Sequence, residues 1–367
     1  MKTSQQNLTP NPLFRQVKQM RRKRGKVREP IVTLAHGSGG SAMRDLIDDI
    51  FVSSFDNPTL ALLEDQARLD LASLMALGDR LAFTTDSFVV DPLFFPGGDM
   101  GTLAVNGTVN DLAVSGAKPI YLSCSVILEE GLPVETLRKI ARSMKVAAAN
   151  AGIEIVTGDT KVVPRGSADK LFINTAGLGV IRAGISAAAQ QIKPGDVIMV
   201  NGFLGNHGAA ILMARGELAL TSEIESDCQP LNGLIEAMLE ACPEIHAMRD
   251  ATRGGLAAVL NEFAASAGVG IRLQEPAIPI QEEVAGLCEL LGLDPLYLAN
   301  EGKLVAAVPR SQADAVLAAM QAHPAGRDSC IIGEAIDTPA GMVMLKTAFG
   351  TERIVGTLVG DQLPRIC

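Results

Sequence analysis

At 367 residues, with 47% hydrophobic side chains and 36 glycines, the chain is long and apolar enough for two globular units with buried cores, which excludes an intrinsically disordered protein. A formal net charge of −9 argues against nucleic-acid binding by the folded body, and no apolar run approaches a membrane span. The six cysteines are scattered singly, with no pair at zinc or redox spacing, which fits a reduced cytoplasmic protein.

In chain order, basic residues come first. Arg15, Lys18, Arg21, Arg22, Lys23, Arg24, Lys26 and Arg28 crowd residues 1–30, which read as a basic flexible arm. No apolar stretch follows, so a secretory leader is not expected. A glycine cluster at 36–40 then precedes a predicted amphipathic helix, capped by Ser41, with Met43, Leu46, Ile47, Ile50 and Phe51 on one face. Strands are predicted over 81–90, 120–128, 153–157 and 171–181. A domain boundary falls at 182–191, followed by a turn at 193–196 and a strand from Val197 to Val200. Two helix faces are marked by Leu256, Val259, Leu260 and Phe263 and by Ala313, Val316, Leu317 and Met320. The division is an N-terminal α/β unit over 31–182, a C-terminal α/β unit over 183–350, and a closing segment with a mobile tail over 351–367.

Several short motifs carry possible chemistry. In His36-Gly37-Ser38-Gly39-Gly40 the glycines let backbone approach a phosphate, and the following helix offers unpaired N–H groups. No Gly-Lys-Ser/Thr follows, so this is not a Walker A loop, and a plain structural turn reads equally well. Asp86, Asp111, Asp159 and Asp250 each sit in a polar knot within apolar sequence. Magnesium takes one or two carboxylates together with phosphate oxygens, so four such knots suit a metal–nucleotide site, although each aspartate alone also reads as a turn or cap. Asp250 or Thr252 is placed to cap the next helix, with the amides of Gly254 and Gly255 open to an anion. Lys161 and Glu301 are the acid–base candidates, with His36 and His207 also possible; His246 and His323 read as surface residues. Cys367 is the last residue, and seventeen residues from Thr351 extend about 55–60 Å at the limit. Its neighbouring α-carboxylate disfavours the thiolate, so it reads as a carrier on which other groups act.

Six motifs together are similar to the HypE family of hydrogenase maturation factors. They are His-Gly-Ser-Gly-Gly at 36–40, Asn110-Asp111, Thr-Gly-Asp-Thr-Lys at 157–161, Asp-Ala-Thr-Arg-Gly-Gly at 250–255, Asn-Glu-Gly-Lys at 300–303 and Pro-Arg-Ile-Cys at 364–367. That family lies in the superfamily of aminoimidazole ribonucleotide synthetase, selenophosphate synthetase and thiamine-monophosphate kinase. The resemblance covers 31–367 and implies a two-domain α/β fold, a homodimer whose N-terminal domains pair their sheets, and a nucleotide groove in the N-terminal domain near that interface. It implies ATP and Mg2+ as cofactors. Asp86, Asp111, Asp159 and Asp250 fall at magnesium–ATP positions, and His36, Gly37, Ser38, Gly39 and Gly40 at a flap over phosphates. Asn110, Thr160, Gly254 and Gly255 belong to the same nucleotide motifs. Lys161 and Glu301 fall where dehydration is assisted. The implied reaction turns a carbamoyl group on Cys367 into a thiocyanate at the expense of ATP, supplying cyanide for the iron of NiFe hydrogenase. The implied partners are HypF, which loads the carbamoyl group, and a HypC–HypD complex, which takes the cyanide. Two other readings stand beside it: a superfamily kinase or synthetase acting on a free small molecule, and a non-enzymatic metal-binding scaffold. The lack of any clustered Cys/His set weighs against the last.

Overall fold

The computed structural model describes residues 25–216, 223–358, 360 and 363–367. Most of the predicted arm, residues 1–24, lies outside them. Residues 25–30 depart from that expectation and lie against the body: the Val27 N–H donates to Asp49 Oδ2 at 3.1 Å and the Val134 N–H to the Pro30 carbonyl at 2.9 Å.

The N-terminal unit is a four-stranded sheet backed by helices. Its strands are β1 (Arg80–Phe88), β2 (Ala117–Glu129), β3 (Glu154–Val163) and β4 (Leu171–Ile181), in spatial order β1-β4-β2-β3. β4 runs antiparallel to both neighbours, and β2 runs parallel to β3. The predicted knot at 157–161 is not a turn but part of edge strand β3. Gly158 makes this possible, because a Cβ there would stand 2.3 Å from the Cys124 carbonyl of the paired strand.

One face of this sheet packs on α2 (Met100–Val114) and α3 (Val134–Ala151), the other toward solvent. Asp99 caps α2, accepting from the Gly101 and Thr102 N–H groups at 2.8 and 2.9 Å. α3 ends at Gly152 in the left-handed conformation. On the solvent-side face Leu81, Phe83 and Ile127 are exposed, Phe83 by 74%.

Ahead of the sheet, α1 (Ser41–Leu46) continues as a π-helical stretch, Ile47–Val52. Gly40 takes the cap position, so Ser41 is the first helical residue rather than the predicted cap.

The C-terminal unit is a seven-stranded sheet with strands β5 (Val197–Val200), β6 (Ala247–Asp250), β7 (Gly270–Gln274), β8 (Leu304–Val308), β9 (Cys330–Ile336), β10 (Val343–Lys346) and β11 (Glu352–Ile354). Their order is β11-β10-β7-β9-β5-β8-β6. β5 and β8 are buried at every residue, as strands covered on both faces must be. The helices of this unit are α4 (Asn206–Ala214), α5 (Asn232–Ala241), α6 (Gly255–Ala267), α7 (Glu282–Leu291) and α8 (Ala313–Ala322). α4 and α7 leave the C-terminal core to join the N-terminal one, where Ala209, Ile211, Val284 and Leu287 pack with Leu363 and Ile366 of the tail. The two units therefore share apolar surface, and the chain end is built into it. Among the described residues no helix is long and apolar enough to cross a membrane.

Candidate active site

Asp86 on β1 faces α2, where Asp111 lies one helix turn beyond Gly107; Asp250 ends β6, and Glu301 lies just before β8. Thr84 Oγ1 donates to Asp111 Oδ2 at 2.9 Å. These acids sit together in a poorly solvated place, and their acidities show it. Burial, then the neighbouring Asp86 carboxylate, pushes Asp111 up. Burial also raises Asp86. Burial together with the Asp111 and Asp86 carboxylates pushes Asp250 up to about 7. Glu301, only 3% exposed, is held well above the usual carboxylate range by burial and by Asp250, Asp227 and Asp86. Its Oε1 has no hydrogen-bond partner among the described residues. Arg253 offsets part of the rise at Asp86, Asp111 and Glu301.

Behind Glu301 stands Asp227, which accepts the N–H groups of Glu301 and Gly302 at 3.1 and 3.3 Å and lies 3.6 Å from Lys303 Nζ. Asn110 ties the two units together. Its Nδ2 donates to the Gln229 and Glu301 carbonyls, and its Oδ1 accepts the Leu231 N–H at 2.7 Å. A buried amide with both ends engaged has little left for a ligand.

A groove of about 580 Å³ runs between the glycine cluster and β3, lined by Gly39, Gly40, Thr157, Asp159 and Thr160, with Phe51 and Phe55 among its apolar walls. Gly39 is in the left-handed region, with open space where a Cβ would stand. Gly37 packs on Val162, and Ser38 Oγ donates to the Ala35 carbonyl, so these two shape the turn rather than the groove. His36 also turns inward: it is buried, and its Nδ1 accepts the Thr33 N–H at 2.9 Å. Lys161 is exposed and pairs with Asp159 at 2.8 Å; that ammonium holds the Asp159 carboxyl below its usual range.

The four aspartates are thus not one cluster within the chain. Asp86 and Asp159 stand on opposite edge strands, three strand spacings apart, or roughly 14 Å. Among the described residues no three acidic, imidazole or thiol groups converge tightly enough to cage an ion. Carboxylates that repel in a dry site stay apart unless a cation draws them in.

The chain end lies in a cavity of about 410 Å³, where Cys367 shares the lining with Arg253, Gly254, Tyr297 and Ala299. The Asp250 knot is not the helix cap expected from its residues. Gly254 holds the cap position with φ 76°, and Gly255, with φ 58°, packs so closely that a Cβ would stand 2.4 Å from the Leu298 carbonyl. Gly254 therefore faces the tail cavity, and Gly255 serves the fold. His246, expected at the surface, is half-buried and bonds Asp196 at 2.7 Å. His323 is likewise partly buried, its Nδ1 accepting the Ala325 N–H.

Family matches cover both units. Residues 64–181 match the AIR synthase related protein N-terminal domain, and residues 193–346 the corresponding C-terminal domain. A carbamoyl dehydratase HypE of Rhodobacter capsulatus is 58% identical over 341 residues, spanning 93% of this chain and 99% of that protein. The chain belongs to the HypE family of carbamoyl dehydratases. It is an enzyme of hydrogenase maturation with the two-domain α/β fold of the AIR synthase superfamily. Two solved HypE structures are informative. One, in complex with ATP, has a TM-score of 0.86 at 48% identity, covering 91% of this chain and 99% of that one. The other, a HypE–HypF complex, has a TM-score of 0.74 at 45% identity, covering 87% of this chain and 100% of that one.

Set in the HypE fold, three residues gain roles that no motif suggested. Asp227 backs Glu301, and Arg215 and His207 hold the tail by its carbonyls. Asp227 and Arg215 lie in no sequence knot, and only their distant partners reveal them. His207, between Gly205 and Gly208, carried a faint signal as a buried polar residue in an apolar helix.

Proposed function

We propose that this chain uses Mg-ATP to dehydrate a carbamoyl group carried on its own Cys367, leaving a thiocyanate. The observation that carries this reading is the seat of the chain end. Cys367 lines one cavity with Arg253 and Gly254, and the Arg253 charge acts on half-buried Asp86 and Asp111 and on buried Glu301. A carrier thiol and a phosphate-type acidic site lie next to each other.

A thiocarbamate oxygen is a poor leaving group. Transfer of the γ-phosphoryl of ATP to that oxygen makes a good one, and phosphoryl transfer depends mainly on positioning and charge compensation. Loss of both amide protons and departure of phosphate then leave the C≡N triple bond on sulfur. Glu301, buried and with one oxygen unpartnered, is suited to hold one of those protons. Asp227 orients it through the backbone N–H groups of Glu301 and Gly302.

The donor set fits magnesium. Its oxygens are hard, and acids pushed above their ordinary range by burial and, at Asp111 and Asp250, by their neighbours call for a cation. Asp86, Asp111 and Asp250 would hold it, and the chemistry it supplies when bound is charge compensation at phosphate oxygens. Gly39, Gly40, Asp159 and Thr160 line the groove assigned to the rest of the nucleotide.

Lys161 and Glu301 cannot meet within one subunit. Lys161 points from the solvent-side face of β3, whereas the Glu301 cluster adjoins Asp86 on the helix side of β1, at the other edge of the sheet. A homodimer pairing the exposed faces that carry Leu81, Phe83 and Ile127 would bring Lys161 and Asp159 of one subunit toward the acids of the other. HypF as the loading partner, and HypC–HypD as the cyanide acceptor, complete the reading.

The test is mass spectrometry of protein S-carbamoylated on Cys367. With Mg-ATP the tail peptide is expected to lose one water. An unchanged mass, or the same loss without ATP, overturns the proposal.

A further inference from the structure

The last residues of the chain are held by an unusual number of backbone contacts. The Val89 N–H donates to the terminal Cys367 oxygen at 2.9 Å and the Asp91 N–H to the Arg365 carbonyl at 3.2 Å, so 365–367 runs antiparallel beside 89–91. Two side chains from α4 and its end grip the same segment from the other side. Arg215 donates to the Asp91, Pro364 and Arg365 carbonyls. His207, fully buried, contacts the Ile366 carbonyl through Nε2 at 2.6 Å, one residue before the reactive sulfur.

The chemistry of that contact sets the imidazole's state. A carbonyl only accepts, so Nε2 carries the hydrogen. Burial lowers the His207 pKa and keeps the ring neutral, so Nδ1 is an acceptor and takes the Ser226 hydroxyl hydrogen at 2.8 Å. The Ser226 oxygen in turn accepts the Cys228 N–H at 3.2 Å. The ring is locked further by an edge contact with Phe95, with centroids 5.5 Å apart. The tail itself bends at Arg365, whose φ of 56° is the left-handed region that a non-glycine residue enters only under constraint. Its side chain is fastened to the Val89 carbonyl at 3.1 Å and to Asp169. This bend turns Ile366 into the shared core.

We propose that His207 and Arg215 are positioning residues that hold the C-terminal segment as an added strand and so set where the Cys367 sulfur sits for reaction. The proposal rests on the carrier role of Cys367 argued above and adds what fixes that carrier in place. Left-handed backbone at Arg365 works against docking, and the carbonyl grips work for it.

The experiment uses the full chain. Alkylation of unloaded protein by iodoacetamide is followed on the tail peptide, and single-turnover water loss is followed on protein S-carbamoylated with cyanate. His207→Leu leaves the Ile366 carbonyl unpaired. It is expected to raise tail alkylation about tenfold and slow water loss by a similar factor, at unchanged ATP affinity. His207→Gln, whose amide can donate to the carbonyl and accept from Ser226, is expected to restore most of both. Arg215→Gln, outside the buried core, is expected to act in the same direction and serves if the leucine variant fails to fold. Wild-type alkylation rates in both His207→Leu and Arg215→Gln overturn the proposal, and so does faster alkylation with unaltered water loss. If the wild-type protein itself loses no water, the dehydratase reading falls, and the alkylation rates alone decide whether the grip exists.

Discussion

Glu301 is the residue on which the proposed chemistry turns, and its setting explains why a motif alone could not rank it. Asn-Glu-Gly-Lys reads as a turn, and only burial beside Asp250, Asp227 and Asp86 lifts its carboxyl well above the usual carboxylate range. Glu301→Gln keeps the volume and loses the exchangeable proton, so water loss is expected to slow about 10²–10⁴-fold while ATP still binds, checked by single-turnover mass spectrometry and nucleotide titration. Asp111→Asn removes a charge from the proposed magnesium site but keeps a hydrogen-bonding shape toward Thr84. It is expected to weaken Mg-ATP binding about tenfold or more with the fold intact, checked by titration calorimetry and thermal unfolding. The individual aspartates were legible because each interrupts apolar sequence with a charge. What was not legible is which of them meet. Asp159 shares its motif style with the others, yet it stands across the sheet and pairs with Lys161. Asn110 shows the opposite case, a polar residue in a conspicuous motif whose hydrogen bonds are spent inside the protein.

Among the elements, apolar runs were the readable signal. β4 falls on the strand predicted over 171–181, its side chains mostly alternating buried and half-buried, and β5 follows from an unbroken apolar run. α2 was missed although it carries Asn110 and Asp111. Twelve of its 15 residues are buried, so it has no polar face and no amphipathic period to detect. A different reason hides the polar end of β3, since Gly158-Asp159-Thr160 looks like a turn unless the paired strand is known. The start of α6 gives a sharp test. Gly255 has φ 58° and no space for a Cβ against the Leu298 carbonyl, and it joins the Asp250 knot to the segment that leads into Glu301. Gly255→Ala combines backbone strain with a steric clash and is expected to destabilise the protein by about 2–4 kcal/mol, measured by urea unfolding. Gly254→Ala also meets a positive φ, but its Cβ faces only the Ala258 methyl, at 2.7 Å. A smaller loss is expected there.

At the scale of the molecule, the arrangement of one subunit is incomplete for the reaction proposed, and the incompleteness has a direction. The acids and the tail cavity lie where the two units meet, whereas Lys161 and the glycine-lined groove lie toward the far edge of the N-terminal sheet. The face between them carries exposed Leu81, Phe83 and Ile127, apolar surface that the proposed pairing of sheets would cover. Sequence resemblance supplied the expectation of paired sheets, but the residues alone did not, since an exposed strand face and a buried one alternate identically. A shared site makes a quantitative forecast. Lys161→Ala and Glu301→Gln are each expected to be slowed at least about 10²-fold alone. When the two variants are unfolded, mixed in equal amounts and refolded, half the dimers are mixed, and each mixed dimer has one site with both residues intact. Water loss is then expected to return to about a quarter of the wild-type sites. If each site were built within a single subunit, every site in the mixture would lack one residue and no activity would return. The tail does not confound the outcome, because Cys367 and its grip at His207 and Arg215 are intact in both variants.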